Sequence, residues 1–188
     1  MRTESTETGR TERETEGTGR VVVGVTGSLA SLAALRAAAA EARNSGRPLL
    51  AVLAWEPPEG EALYLRNPDK EWAEYWRREA RTRLDRAFEE VFGGTPRGVE
   101  VARWVVRGRP AAALCGTASR PDDLLVLGSR ASARSWGGRV RGPARGRVLR
   151  RVLRRAGCGV LVVRAPALPR GLGRALRRVS VEDFAAVG

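Results

Sequence analysis

An α/β domain built on an open, parallel, five-stranded sheet with helices on both faces is the fold class this sequence predicts. Two observations predict it. Short apolar runs and segments of helical periodicity alternate between Val21 and Val163 in the order β-α-β-α-β-α-β-α-β. Alternating units of this kind specify parallel strands, because right-handed crossovers carry each helix back over the sheet. The runs themselves, such as Val21-Val22-Val23-Gly24-Val25, are continuously apolar, as strands covered on both faces require.

Each element follows in turn. Residues 1–20 hold no aliphatic side chain beyond Met1 and are expected to form a disordered tail, with order beginning at Val21. Thr26-Gly27-Ser28 turns into an alanine-rich helix over about 30–44, with Leu32, Leu35 and Ala39 at helical spacing and a stop at Asn44-Ser45-Gly46. Leu49 to Trp55 reads as a second buried strand, halted by Pro57-Pro58, and a looser segment runs to about Pro68. Trp72, Trp76, Leu84 and Phe88 recur at multiples of four, which predicts a long amphipathic helix over 70–92. Val99, Val101 and Val105 mark a third strand, whose Glu100 and Arg103 suit a sheet edge. Gly108-Arg109-Pro110 opens a short helix, and proline fits its first turn because no N–H is needed there. Leu124 to Leu127 forms the fourth strand and Val160 to Val163 the fifth. Between them a helix is expected over 146–156, with Val148, Leu149, Val152, Leu153 and Ala156 on one face and five arginines on the other. The domain is thus set at 21–165. The extension 166–188 carries Leu172, Ala175, Leu176 and Val179 at a spacing that suggests a short helix.

Composition excludes several chemistries. The chain has no histidine, so Ser-His-Asp, Cys-His and His-based acid/base catalysis are unavailable to it. Its two cysteines, Cys115 and Cys158, belong to no C-x-x-C pair and are expected to be buried, reduced thiols, with no metal site evident. No apolar run approaches the roughly 20 residues that span a bilayer, and residues 2–20 lack the apolar core of an export signal. A cytoplasmic protein is expected. The net charge of +13 comes almost wholly from arginine, since Lys70 is the sole lysine. Eleven arginines and no acid lie between Gly128 and Arg164. Such a stripe is compatible with a polyanion. Aromatic residues for base stacking are sparse there, however, so nucleic acid is not the expected partner.

Ligands of open parallel sheets bind beyond the carboxyl ends of the strands. Two such ends carry small residues here, Thr26-Gly27-Ser28 and Gly128-Ser129. Their glycines serve turn geometry and ligand approach equally well.

Specific motifs add to this. Val23-Gly24-Val25-Thr26-Gly27-Ser28 with Ser31 resembles the universal stress protein opening V-G-V-D-G-S-x-x-S. Gly108-x-Pro110-x-x-x-Leu114 is similar to that family's G-x-P-x-x-x-L, and Asp122 to Arg130 to its D-x-D-L-(I/V)-V-x-G-(S/T)-R. Gly146 to Val163 resembles its closing G-S-V-(S/T)-x-x-V-L-x-x-A-x-C-P-V-L-V-V. The blocks stand in family order. The resemblance implies a flavodoxin-like, Rossmann-like sheet of order 3-2-1-4-5, a role in stress response as a binding or regulatory module, and homodimers paired through the fifth strand. With no general base apparent in the sequence, that module is expected to be non-catalytic. The uniformly apolar Val160-Leu161-Val162-Val163 agrees, because an unprotected apolar edge invites pairing.

The resemblance also implies an adenine-nucleotide site for ATP or a related nucleotide. Its contacts would fall on Val25, Thr26, Ala54, Leu127, Gly128, Arg130, Ala131, Gly146, Arg147 and Val148. The family's phosphate loop reads G-x2-G-x9-G-(S/T), with an aspartate in the first turn. Here Gly128 matches, Ala131 replaces the second glycine, and fourteen residues instead of nine precede Gly146. Arg147 replaces the hydroxyl residue, Leu149 takes the next polar position, and Thr26 replaces the aspartate. Loss of that carboxylate removes a contributor to metal or ribose binding, whereas a guanidinium is itself a phosphate ligand. The site is therefore expected to be degenerate for magnesium–ATP. Three alternatives stay open: a nucleotide bound through arginines without metal, a site blocked by its own arginine, and a polyanion surface along 130–155.

Overall fold

The carboxyl ends of the strands, where a ligand would sit, are positioned by a sheet whose three inner strands are anchored by buried valine and leucine side chains, while its two edge strands are only partly covered. The computed structural model describes residues 19–129 and 147–166. The elements are β1 (Val21–Gly24), α1 (Leu29–Ser45), β2 (Leu49–Trp55), α2 (Glu61–Tyr64), α3 (Lys70–Phe92), β3 (Val101–Arg107), α4 (Pro110–Thr117), β4 (Leu124–Ser129), α5 (Arg147–Arg155) and β5 (Gly159–Arg164). The strands are all parallel and ordered β3-β2-β1-β4-β5. Right-handed crossovers then place α1 and α3 on one face and α4 and α5 on the other.

Strand alternation divides the core into two layers. Val21, Val23, Leu49, Ala51, Leu53 and Val126 face α1 and α3, where they meet Leu35, Ala38, Leu84 and Phe88. Val22, Leu50, Val52, Leu125 and Leu127 face α4 and α5, where they meet Ala111, Leu114 and Val152. The alanines of α1 let that helix lie close on the sheet: Ala34, Ala38, Ala39 and Ala42 are all buried. Both long helices stop at glycines in the left-handed conformation, Gly46 and Gly93.

Four expectations change in detail. The third strand begins at Val101, and Val99 packs as a partly buried residue before it. The looser segment after β2 contains the single helical turn α2. On α3 the apolar stripe starts lower than its spacing suggested. Trp72 is 44% exposed and stacks on Tyr75, with ring centroids 5.7 Å apart, rather than entering the core. On α5, Leu153 is 56% exposed, because the nine-residue helix turns only Val152 fully onto the sheet. The edge position of β3 follows the expectation. Arg103 leaves the sheet to pair with Asp85 at 2.9 Å and lies 4.0 Å over the Phe88 ring.

The described chain also begins two residues ahead of Val21, at Gly19. Arg20 donates to both carboxylate oxygens of Asp123, through its backbone N (2.9 Å) and Nε (3.2 Å) to Oδ1 and through Nη2 (2.9 Å) to Oδ2. Its carbonyl accepts from Leu124 N. The Asp123 side chain is wholly buried. The rest of the tail (residues 1–18) and most of the extension (167–188) lie outside the described residues.

Candidate functional site

The site grows out of the end of β1. Val25 N donates to Val52 O at 2.9 Å, which holds Val25 buried against β2 before the chain leaves the sheet. Gly27 then takes φ 76°, a conformation that disfavours a Cβ, and Ser28 returns to extended geometry as the cap of α1. The outcome is a closed cluster of hydroxyls. Ser28 Oγ accepts from Ser31 N at 3.3 Å, and Ser31 Oγ donates to Ser28 O at 2.9 Å. Thr26 donates to Ser31 Oγ through both its N and its Oγ1, each at 3.2 Å, and its Oγ1 lies 3.1 Å from Ser28 Oγ. Thr26 thus spends its side chain on its own turn.

The end of β4 lies beside this turn, with Val23 paired to Val126 in parallel register. Gly128 is needed here for a packing reason. A Cβ at that position would overlap the Ala30 carbonyl group in the first turn of α1. Glycine therefore lets the β4 end and the α1 N-terminus meet backbone to backbone. Leu127, 6% exposed, faces the opposite layer with Val148 and floors the crevice on the α4–α5 side. A side chain on Gly24 would approach Leu127 Cδ2 at 3.1 Å, so the floor is tight.

Of the sequence-predicted contacts, Val25, Thr26, Leu127 and Gly128 thus converge at the ends of β1 and β4. Ala54 stands one strand away on β2, paired with Val106 and partly buried. Arg147 is exposed and Val148 half-buried at the start of α5. Arg130, Ala131 and Gly146 lie outside the described residues, as do the loop arginines Arg134, Arg139 and Arg141. Ser28 and Ser31 stood within the opening motif without a role of their own. A serine directly before an alanine-rich run is the N-cap signal that could have found Ser28.

The electrostatics of the described part are simple. No carboxylate enters the hydroxyl cluster, and among the described residues no group of three His, Cys, Asp or Glu side chains could hold a metal ion. Asp123, in the motif block of β4, sits at the amino end of that strand, away from the crevice. Burial alone would raise its pKa, but the hydrogen bonds and charge of Arg20, with Arg120 N, outweigh this and hold it below the ordinary carboxylate value. Cys115 and Cys158 are free, partly buried and packed in the same α4–α5 layer. Burial is the chief cause that raises both thiols, so both are poorer nucleophiles than an exposed cysteine.

Among the described residues no helix is long and apolar enough to cross a membrane. No curated protein matches the chain. Solved structures do. A universal stress protein from Archaeoglobus fulgidus is 24% identical, with 77% of this chain and 98% of that chain covered, at TM-score 0.54. The hypothetical protein MJ0577 is 16% identical, with 80% and 98% covered, at TM-score 0.59. A universal stress protein solved in complex with cAMP is 28% identical, with 79% and 98% covered, at TM-score 0.47. The model of the Universal stress protein family matches residues 17–164. With the strand order and all four motif blocks inside that span, the chain belongs to the universal stress protein family.

Proposed function

We propose that this chain is a cytoplasmic, homodimeric, non-catalytic binding module of its family, with a crevice that does not hold magnesium–ATP. The observation that carries the reading is the hydroxyl cluster of Thr26, Ser28 and Ser31, which replaces a first-turn carboxylate by neutral groups already bonded to one another. A magnesium ion prefers carboxylate and phosphate oxygens in near-octahedral array, and this turn offers it no charge. The lack of histidine in the chain supports a binding role over hydrolysis. Two free thiols are in keeping with a reducing compartment. For the dimer, the support is the β5 edge, where Leu161 is 40% and Val162 37% exposed on opposite faces of a strand whose outer side has no partner among the described residues.

A second reading has its own support. The 17-residue helix α1 points its N-terminus at the crevice and Arg147 opens α5, so an adenine nucleotide held by helix N–H groups and a guanidinium needs no metal. Thermal unfolding with ATP separates the two. The first reading expects the midpoint of the ligand-free protein both with ATP alone and with ATP plus Mg²⁺. A rise with ATP that Mg²⁺ leaves unchanged selects the second. A rise that requires Mg²⁺ overturns both.

A further inference from the structure

The open edge of the sheet carries a charge problem. Helix α5 leads into β5, and Val152 buries against Leu125, Leu127 and Val160, so α5 covers the β4–β5 end of its face while α4 packs over β1 and β2. Of its nine residues five are arginines, Arg147, Arg150, Arg151, Arg154 and Arg155, and all five are exposed. Among the described residues none of them has a carboxylate within ion-pair distance, whereas Arg20, Arg47, Arg77, Arg81, Arg103, Arg107 and Arg109 each have one. No acidic residue occurs at all from Gly128 to Arg164.

Pairing two copies antiparallel through β5 relates them by a two-fold axis normal to the sheet, which keeps like faces together. The two α5 helices then flank the seam on one face. Five arginines from each copy make ten, with Arg164 of each β5 beside them and no acid in the same segment. Charges this dense repel within the roughly 10 Å over which 0.1 M salt leaves them unscreened.

We propose that the paired α5 helices form a binding surface for a phosphate chain, and that assembly through β5 depends on such a multivalent anion. This rests on the β5 dimer proposed above. Guanidinium groups suit the ligand, because they bind phosphate by paired hydrogen bonds. The surface reads charge rather than bases: the described tryptophans, Trp55, Trp72, Trp76 and Trp104, lie on β2, α3 and β3, towards the opposite edge.

Sedimentation velocity at low ionic strength, with and without inorganic polyphosphate, tests the inference on the full chain and on an Arg150→Gln/Arg151→Gln/Arg154→Gln/Arg155→Gln variant. The expected result is wild-type dimerisation tightened about tenfold or more by polyphosphate, and a variant that dimerises without it and ignores its addition. A wild-type dimer equally tight without polyphosphate overturns the anion dependence and leaves the β5 dimer standing. Wild type and variant monomeric under every condition remove the β5 dimer and this inference together. Should the variant not fold, the wild-type comparison alone decides.

Discussion

At the scale of single residues, two positions carry consequences that spacing alone did not reveal. Asp123 was legible only as part of a motif block; its partner Arg20 fell in a stretch expected to be a tail, because a lone arginine among polar residues gives no periodic signal. The wholly buried Asp123 carboxylate, bonded to Arg20 and to Arg120 N, ties the entry of β1 to that of β4. Replacing it by alanine leaves Arg20 without its counter-charge and is expected to cost about 3 kcal/mol in chemical denaturation. Because its folded pKa is depressed, the unfolded chain takes up the proton first as pH falls. The stabilisation is complete above the unfolded value of about 3.9 and is lost as pH drops through the folded one. Asp123→Asn should therefore flatten the acid limb of stability against pH; an unchanged limb would contradict this role. Gly128 is the second case. Its glycine was readable from sequence as either a turn or a ligand requirement, and its contact with the Ala30 backbone explains it by packing. Gly128→Ala is expected to lower stability by about 2 kcal/mol even without ligand, measurable by urea unfolding. A neutral substitution would return that glycine to a purely ligand-serving role.

At the scale of elements, strong local periodicity was read well. The helix expected over 70–92 is α3 at Lys70–Phe92, and the second strand is β2 at Leu49–Trp55. What failed was facing rather than existence. Trp72 and Leu153 share the spacing of buried neighbours but stay exposed, Trp72 in the first turn of α3 and Leu153 on a side of α5 turned away from the sheet that its neighbour Val152 meets. Helical spacing names a stripe, and tertiary placement decides how much of it is covered. The turn α2 was missed because four residues are too few to show a period. The prediction that belongs here concerns β5. Val162→Lys puts a charge at the centre of the open strand, a device that blocks edge pairing. With polyphosphate present it should make the protein monomeric in sedimentation without moving its melting midpoint, as Val162 is already 37% exposed. A dimer that persists in this variant would place the interface elsewhere.

At the scale of the whole molecule, strand alternation made the parallel α/β class legible, while the order β3-β2-β1-β4-β5 came from the family resemblance. Periodicity cannot supply it, since the same βα units wind into more than one order. The crevice was legible in half. Both walls, the Thr26 turn and the Gly128 end, were identified from glycines and family spacing, whereas the closure of the turn by Ser28 and Ser31 depends on atomic geometry. Charge is segregated across the molecule as well. Among the described residues, α5 and β5 hold six arginines and no acid, while residues 56–79, at the other end of the sheet, hold seven of the 21 acidic residues. The β5 end is thus the strongly cationic one, and the hydroxyl-lined crevice opens between the two. Whether that crevice has given up the metal is the central claim. Calorimetric titration of ATP into the protein, once in Mg²⁺ and once in EDTA, tests it most directly. The account predicts isotherms that do not differ between the two buffers; micromolar binding that appears in Mg²⁺ and vanishes in EDTA would contradict it.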